Sequence, residues 1–207
     1  MPYGWIPAIR ARVGSSDINI HTSDIIDDLD FAYMLSVEAR RNRWGFFVDS
    51  LRMDLTDDKH VDFFSDPRAT LRLSEGIIQS GVYYRFGNEK MYLDAMASVR
   101  FYYLRIRFRL ANRKTTFRES WFESAIGLRG FVRLTDRWSL AARGDVGGFS
   151  LGEASQFTWQ GMGFIGFHVS ESVKLFGGYR FYSINYNEGF DFKERIMGPV
   201  VGAAIHF

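Results

Sequence analysis

Arg105, Arg107 and Arg109 recur at every second position, and Arg113, Lys114 and Arg118 follow within a few residues. In an extended chain, a spacing of two puts the first three guanidinium groups in one row on one face. Planar guanidinium groups bind phosphate and carboxylate oxygens two at a time, so this row points to anion recognition. Its direction depends on strand parity. With no bulge, the three arginines share the face of Tyr103. With a bulge after Tyr103, they turn to the other face and Leu104, Ile106 and Phe108 replace them. The plain alternative is a solvated set of charges.

A second set mixes both signs. Arg10, Arg12, Glu38, Arg40, Asp49, Glu75, Asp94, Arg100, Glu123, Arg129, Arg143, Asp145, Lys174 and Arg180 alternate along the chain with apolar neighbours. If they share an enclosed face, each needs a partner, because an unpaired buried charge is expensive. Paired across a narrow lumen they make a polar plug; unpaired and hydrated they line a pore. Other chemistry finds little support. Asp57, Asp58, His60 and Asp62 match no tight metal-ligand spacing. The four histidines, His21, His60, His168 and His206, lack a flanking nucleophile motif. The Gly-rich 144–148 stretch carries no Lys-Ser or Lys-Thr, so its glycines suit a strand rather than a phosphate loop. No catalytic residue, metal or cofactor is expected.

The elements that must position these charges are strands. Residues 31–40 put Phe31, Tyr33, Leu35, Val37 and Ala39 on one face and Ser36, Glu38 and Arg40 on the other. The same alternation runs through 3–13, 44–55, 69–86, 91–110, 120–134, 138–151, 157–169, 173–186 and 194–207. In 44–55 the apolar parity passes from Trp44, Phe46 and Val48 to Leu51, Met53 and Leu55, which predicts a bulge near Asp49 or Ser50. Short turns at 41–43, 87–90, 135–137 and 170–172 alternate with mostly longer loops at 14–30, 56–68, 111–119, 152–156 and 187–193. Residues 24–29 could form a short helix capped by Ser23. Pro199 cannot donate to a ladder, so a bulge or weak pairing is expected beside it.

Composition narrows the class. No residue is Cys, which excludes disulfides and thiolate sites. A net charge of +2 gives no reason to expect a nucleic-acid partner. Aromatic residues make up 17%, beside 20 Gly and 4 Pro, a balance that suits many long strands with aromatic girdles. No signal peptide is visible at Met1–Trp5, so the sequence reads as a mature or engineered form.

The final stretch sharpens the reading. Met197, Pro199, Val201, Ala203, Ile205 and Phe207 share one face, against Gly198, Val200, Gly202, Ala204 and His206. This ending on Phe207 resembles the closing strand of bacterial outer-membrane barrels, which implies recognition by the barrel assembly machinery. The stretches Gly144-Asp145-Val146-Gly147-Gly148-Phe149, Thr158-Trp159-Gln160 and Gly178-Tyr179-Arg180-Phe181-Tyr182 resemble motifs of small outer-membrane β-barrel proteins of the OmpA/OmpW-like superfamily. The resemblance implies fold and location and brings no activity. Tryptophan placement agrees with a bilayer: Trp5, Trp44 and Trp138 fall at one set of strand ends, Trp121 and Trp159 at the other, where amphipathic rings, with Phe207, would anchor the interfaces.

The expectation is therefore one all-β domain over residues 1–207: a single antiparallel transmembrane β-barrel of about ten strands, or eight if the first segment pairs differently. Short turns would face the periplasm and longer loops the exterior. The expected role is structural or interactive, with a largely plugged, charge-paired lumen. The basic row would contact outer-membrane lipid, lipopolysaccharide in particular. A narrow solute pore is the alternative, and a lipid-modifying enzyme a third.

Overall fold

The structure, a computed structural model, describes residues 2–5, 8–13, 16–20, 29–57, 69–110, 113–149, 157–186 and 192–205. The acidic segment 58–62 lies outside them, with Asp57 ending a strand. So do the expected helix residues 24–28, His21, His206 and Phe207. Every described element is a strand. They are β1 (Pro2–Trp5), β2 (Ala8–Val13), β3 (Ser16–Ile20), β4 (Leu29–Arg41), β5 (Trp44–Asp57), β6 (Ala69–Gly87), β7 (Met91–Leu110), β8 (Arg113–Arg133), β9 (Trp138–Phe149), β10 (Phe157–His168), β11 (Val173–Tyr186) and β12 (Phe192–Ile205).

All pairs are antiparallel, and consecutive strands pair from β4 to β12. β1 pairs with β4 on one side and with β12 on the other, so the sheet curls back on itself. The expected first strand is divided: β12 pairs with β1 from Val200 to Gly202 and with β2 from Phe192 to Met197. Part of the expected loop 14–30 is strand β3, which folds back onto β2. Pro199 causes no bulge. It stays in register opposite Tyr179, and on its other side it has no described partner, at the break between β1 and β2. The missing N–H therefore costs the ladder little.

The turns follow from local chemistry. Asn42, at φ 58, makes the tight β4–β5 turn, a backbone region that Asn tolerates better than most residues. Gly87 has φ 112, and a Cβ there would strike the Met91 carbonyl. The expected basic loop 111–119 is mostly strand, because β8 begins at Arg113. β7 has 20 residues. At about 3.3 Å per residue and a tilt of roughly 35–45°, it stands about 45–55 Å tall, around twice an apolar band of about 25 Å. The β7–β8 hairpin therefore projects well beyond a membrane.

Alternation along each strand produces an inverted protein. Val37, Ile126 and Ile165 are 56%, 55% and 56% exposed on the outer face, whereas Asp94 and Arg100 are fully enclosed on the inner one. In water, that arrangement would leave hydrocarbon wet and charge dry. In a bilayer, both faces are satisfied. Aromatic pairs border the apolar band: Trp44 with Tyr84 and Trp138 with Phe167 near the short turns, Phe101 with Phe122 near the other end. Trp44, Trp138 and Trp159 are exposed on the outer face, while the Trp5 side chain is not among those described.

Two expectations of facing are corrected. No register shift occurs at Asp49 or Ser50. Leu51 and Met53 keep inward parity and are buried, because the inner face itself turns apolar toward the long-loop end. Trp121 is not an interfacial anchor. It points inward with Glu123 and stacks on Tyr102, ring centroids 4.9 Å apart. A charge on the outer face should be costly. We expect Ile126→Arg to destabilise the folded protein in lipid by about 2–4 kcal/mol. Equilibrium urea unfolding in bilayers measures this, and an unchanged stability would contradict the assigned facing.

Candidate lumen network and outer arginine patch

The inner face is layered. Nearest the short turns, Asp94 on β7 accepts from Arg85 on β6 at 2.7 Å and from Arg129 on β8 at 2.7 Å. Register makes this possible, since Asp94 lies directly opposite both Arg85 and Arg129. Arg129 also reaches across to Glu38 on β4 at 2.6 Å, and Glu38 accepts from the Tyr83 hydroxyl. The Tyr83 ring has space because it lies over Gly45, where any Cβ would collide with it. Arg129 sits 4.7 Å from the same ring, and Arg85 packs on Tyr92.

The middle layer is a denser knot. Arg100 on β7 is fully enclosed, and it pairs with Glu123 on β8 at 2.7 Å and with Asp145 on β9. Glu123 also accepts from the Tyr102 hydroxyl at 2.7 Å and from Thr158 at 2.6 Å. Arg143 bridges Asp145 at 3.2 Å and Asp49, on the far wall, at 2.6 Å. Gln160 donates to Asp145 at 2.7 Å and to Gln79 on β6 at 3.0 Å, and it accepts from Arg180 at 2.8 Å. A Cβ on Gly147 would lie 2.7 Å from both the Glu123 carboxylate and the Thr158 hydroxyl. The glycines of 144–148 thus include one that admits the knot.

Above the knot the lumen is apolar. Met34, Leu51, Met53, Ile77, Tyr102, Leu104, Trp121, Tyr182, Ile184, Ile196 and Val200 form one buried cluster across six strands of the wall and β12. Tyr102 and Tyr182 join hydroxyls at its base. The expected inward charges therefore divide. Glu38, Asp49, Asp94, Arg100, Glu123, Arg129, Arg143, Asp145 and Arg180 are brought together. Glu75 faces the apolar cluster. Lys174 lies 5.5 Å from the Phe131 ring. Arg40 sits at the short-turn rim, bonded to Glu89 at 2.7 Å. Arg10 is corrected: it is exposed and lies opposite Arg195, which has the outward parity of β12. Arg12 is opposite Lys193, and its side chain is outside the described set. Sequence reading missed Tyr83, Arg85, Tyr102, Gln79, Thr158, Gln160 and Tyr182. All carry inward parity, and that was the available signal.

On the outer face, no register shift follows Tyr103, so Arg105 and Arg107 continue its parity. Arg105 lies directly opposite Arg118 on β8, and Arg107 opposite Arg72 on β6. Arg72, unremarked in the sequence, joins the patch through this register. Arg109 lies opposite Lys114, with both side chains outside the described set, as is that of Arg113. The Arg105 guanidinium is 5.3 Å from the Tyr103 ring, and its Nε is buried without an acceptor among the described residues. Like charges directly opposite each other destabilise a ladder. The patch begins just beyond the Phe101–Phe122 pair.

The inner face also holds a Ser–His contact. His168 Nε2 is 3.1 Å from Ser139 Oγ, and its Nδ1 is 3.4 Å from Arg133. Arg133 can only donate, which leaves the proton on Nε2, and a base for Ser139 needs that nitrogen free. The arrangement fits a structural contact.

No protein-family model and no curated protein matches the chain by sequence. Among solved structures, the chain is similar to the outer membrane protease OmpT from Escherichia coli, with a TM-score of 0.64 at 9% identity, covering 100% of this chain and 95% of that one. Ail, the attachment invasion locus protein of Yersinia pestis, gives 0.45 at 9% identity, covering 97% and 94%. Neisserial surface protein A gives 0.42 at 13%, covering 99% and 96%. The similarity to OmpT is one of fold. Together with the inverted wall, it gives the chain the fold of an outer-membrane β-barrel.

Proposed function

We propose that the chain forms a ten-stave barrel with a closed lumen, serving a structural or interaction role at the outer membrane and contacting lipopolysaccharide through its outer arginines. In this reading β1 and β2 form one stave, β3 and β4 another, and β5 to β12 the remaining eight. The observation that carries the closed lumen is the enclosure of Arg100 by carboxylates from β8 and β9, beneath a buried apolar cluster. A conducting path needs hydrated space, and an interior of this size is readily filled by side chains. The reading assigns no catalytic residue. Proteolysis belongs to the OmpT neighbour, and a fold shared at 9% identity does not transfer it.

The lipid contact rests on the four arginines that register brings side by side, Arg72, Arg105, Arg107 and Arg118. Their mutual repulsion is relieved when an anion lies between them, and bidentate phosphate binding suits guanidinium groups best. Asp54, on the neighbouring strand β5, is already engaged by Arg52 at 3.0 Å. Position matters too: the patch starts where the apolar band ends, the level at which lipid phosphates lie.

Three outcomes test the reading. Arg100→Met leaves Glu123 and Asp145 short of a cation in a buried site, so unfolding in detergent should show a loss of about 3–5 kcal/mol. In planar bilayers the unaltered protein should show no discrete openings; regular openings would favour a narrow pore instead. Replacing Arg105, Arg107 and Arg109 together by Ser should weaken lipopolysaccharide binding about tenfold or more, with binding falling as salt rises. Unchanged binding by the triple variant would remove lipopolysaccharide from the account.

A further inference from the structure

Two acids stand in the apolar layer with no base beside them among the described residues. Glu75 on β6 and Glu194 on β12 are 6% and 5% exposed. Strands β7 to β11 separate them along the sheet, yet the curl brings both to one small cavity, shared with Tyr102, Leu104, Trp121 and Ile184. Neither carboxylate has a hydrogen bond or an ion pair with a described residue. Their cross-strand neighbours are apolar on both sides: Met53 and Leu104 flank Glu75, and Ala11 and Ile184 flank Glu194.

Among the described residues, the surrounding elements supply no counter-charge. From β7, Tyr102 is committed to Glu123 and Tyr182. From β8, Glu119 lies opposite Leu104 on the inward parity and adds a further acid, and Glu123 sits below, paired with Arg100. From β11, Tyr182 faces Tyr102, and Arg180 reaches down to Gln160. Arg143, on β9, is held by Asp49 and Asp145. Lys193 and Arg195 carry the outward parity of β12, and Arg105 that of β7.

Two carboxylates in one apolar cavity cannot both ionise cheaply: burial disfavours each charge, and each charge disfavours the other. One retained proton removes the like-charge contact and lets one carboxyl donate toward the other. We propose that Glu75 and Glu194 form a proton-binding acid pair that latches β6 to β12 across the outer lumen, held while the pair keeps a proton and forced apart when both acids ionise. The latch deepens the closed-lumen reading, but its stability test stands apart from it.

The sign follows from linkage. The folded pair binds a proton that unfolded glutamates have already released, so stability falls as pH rises above the ordinary carboxylate range. The full chain, folded in detergent, is unfolded in urea at several values from about pH 5 to about pH 9 and followed by tryptophan fluorescence. The unaltered protein should lose at least about tenfold in its folded-to-unfolded ratio across that window. E75Q/E194Q should be nearly flat there, and each single Gln variant, freed of the like charge, should show a smaller slope. Parallel profiles for all four proteins would overturn the latch. So would a slope abolished by calcium ion and restored by chelator, because the pair would then be a cation site. Bilayer conductance of the unaltered protein at neutral pH reports separately on the closed lumen: openings there with the predicted urea profiles would reject the closed-lumen reading and leave the acid pair standing.

Discussion

Arg100 has no exposed surface, and a guanidinium group cannot shed its charge in a protein. Its position therefore requires carboxylates at hydrogen-bond distance, and Glu123 and Asp145 supply them from the next two strands. That requirement fixes more than one ion pair. Glu123 lies opposite Arg100 only in the observed β7–β8 register, where Gly147 leaves space for its carboxylate, and Asp145 has room because it packs over Gly127. A slip of one residue would put Arg100 in the lipid and Phe101 in the lumen. The buried charges thus specify register, at a desolvation cost that their ion pairs offset.

The outer wall is the counterpart of this constraint. A sheet crossing hydrocarbon must satisfy every backbone group within itself, which favours a sheet that returns to its own first strand. With the charges turned inward, alternate residues are left to meet lipid, and these are Val37, Ile126, Ile165 and their kind. Beyond the Phe101–Phe122 level the same outward parity carries Arg105 and Arg118. One unbroken period of two therefore serves two solvents: hydrocarbon lower down, and a polar medium above.

Much of this was legible in the sequence. Alternation located the long strands, and it placed Arg100, Glu123, Arg143 and Asp145 on one face. An apolar residue on an alternating strand is not always a lipid-facing one. Leu51, Met53 and Trp121 are apolar and inward, because the lumen has an apolar storey of its own. A period of two says that neighbours differ in facing, and it does not say what fills the inside. For Trp121 the parity of Glu123 was the better guide than its ring. The facing of Arg10 is set by its opposition to Arg195, a pairing between the two ends of the chain that no local pattern encodes. The same holds for Gln79 and Gln160, which meet only because the sheet curves. Glu75 and Glu194 are likewise ordinary alternating acids in sequence, and only the fold brings them to one cavity.

The central claim is that this chain is an inside-out barrel that folds only with its outer face in an apolar medium. Migration in a detergent gel, before and after boiling, tests it most directly. The unboiled protein should run as a distinct, compact species and shift on boiling as the curled sheet opens. Identical migration under both conditions, together with a monodisperse protein in detergent-free buffer, would contradict the account.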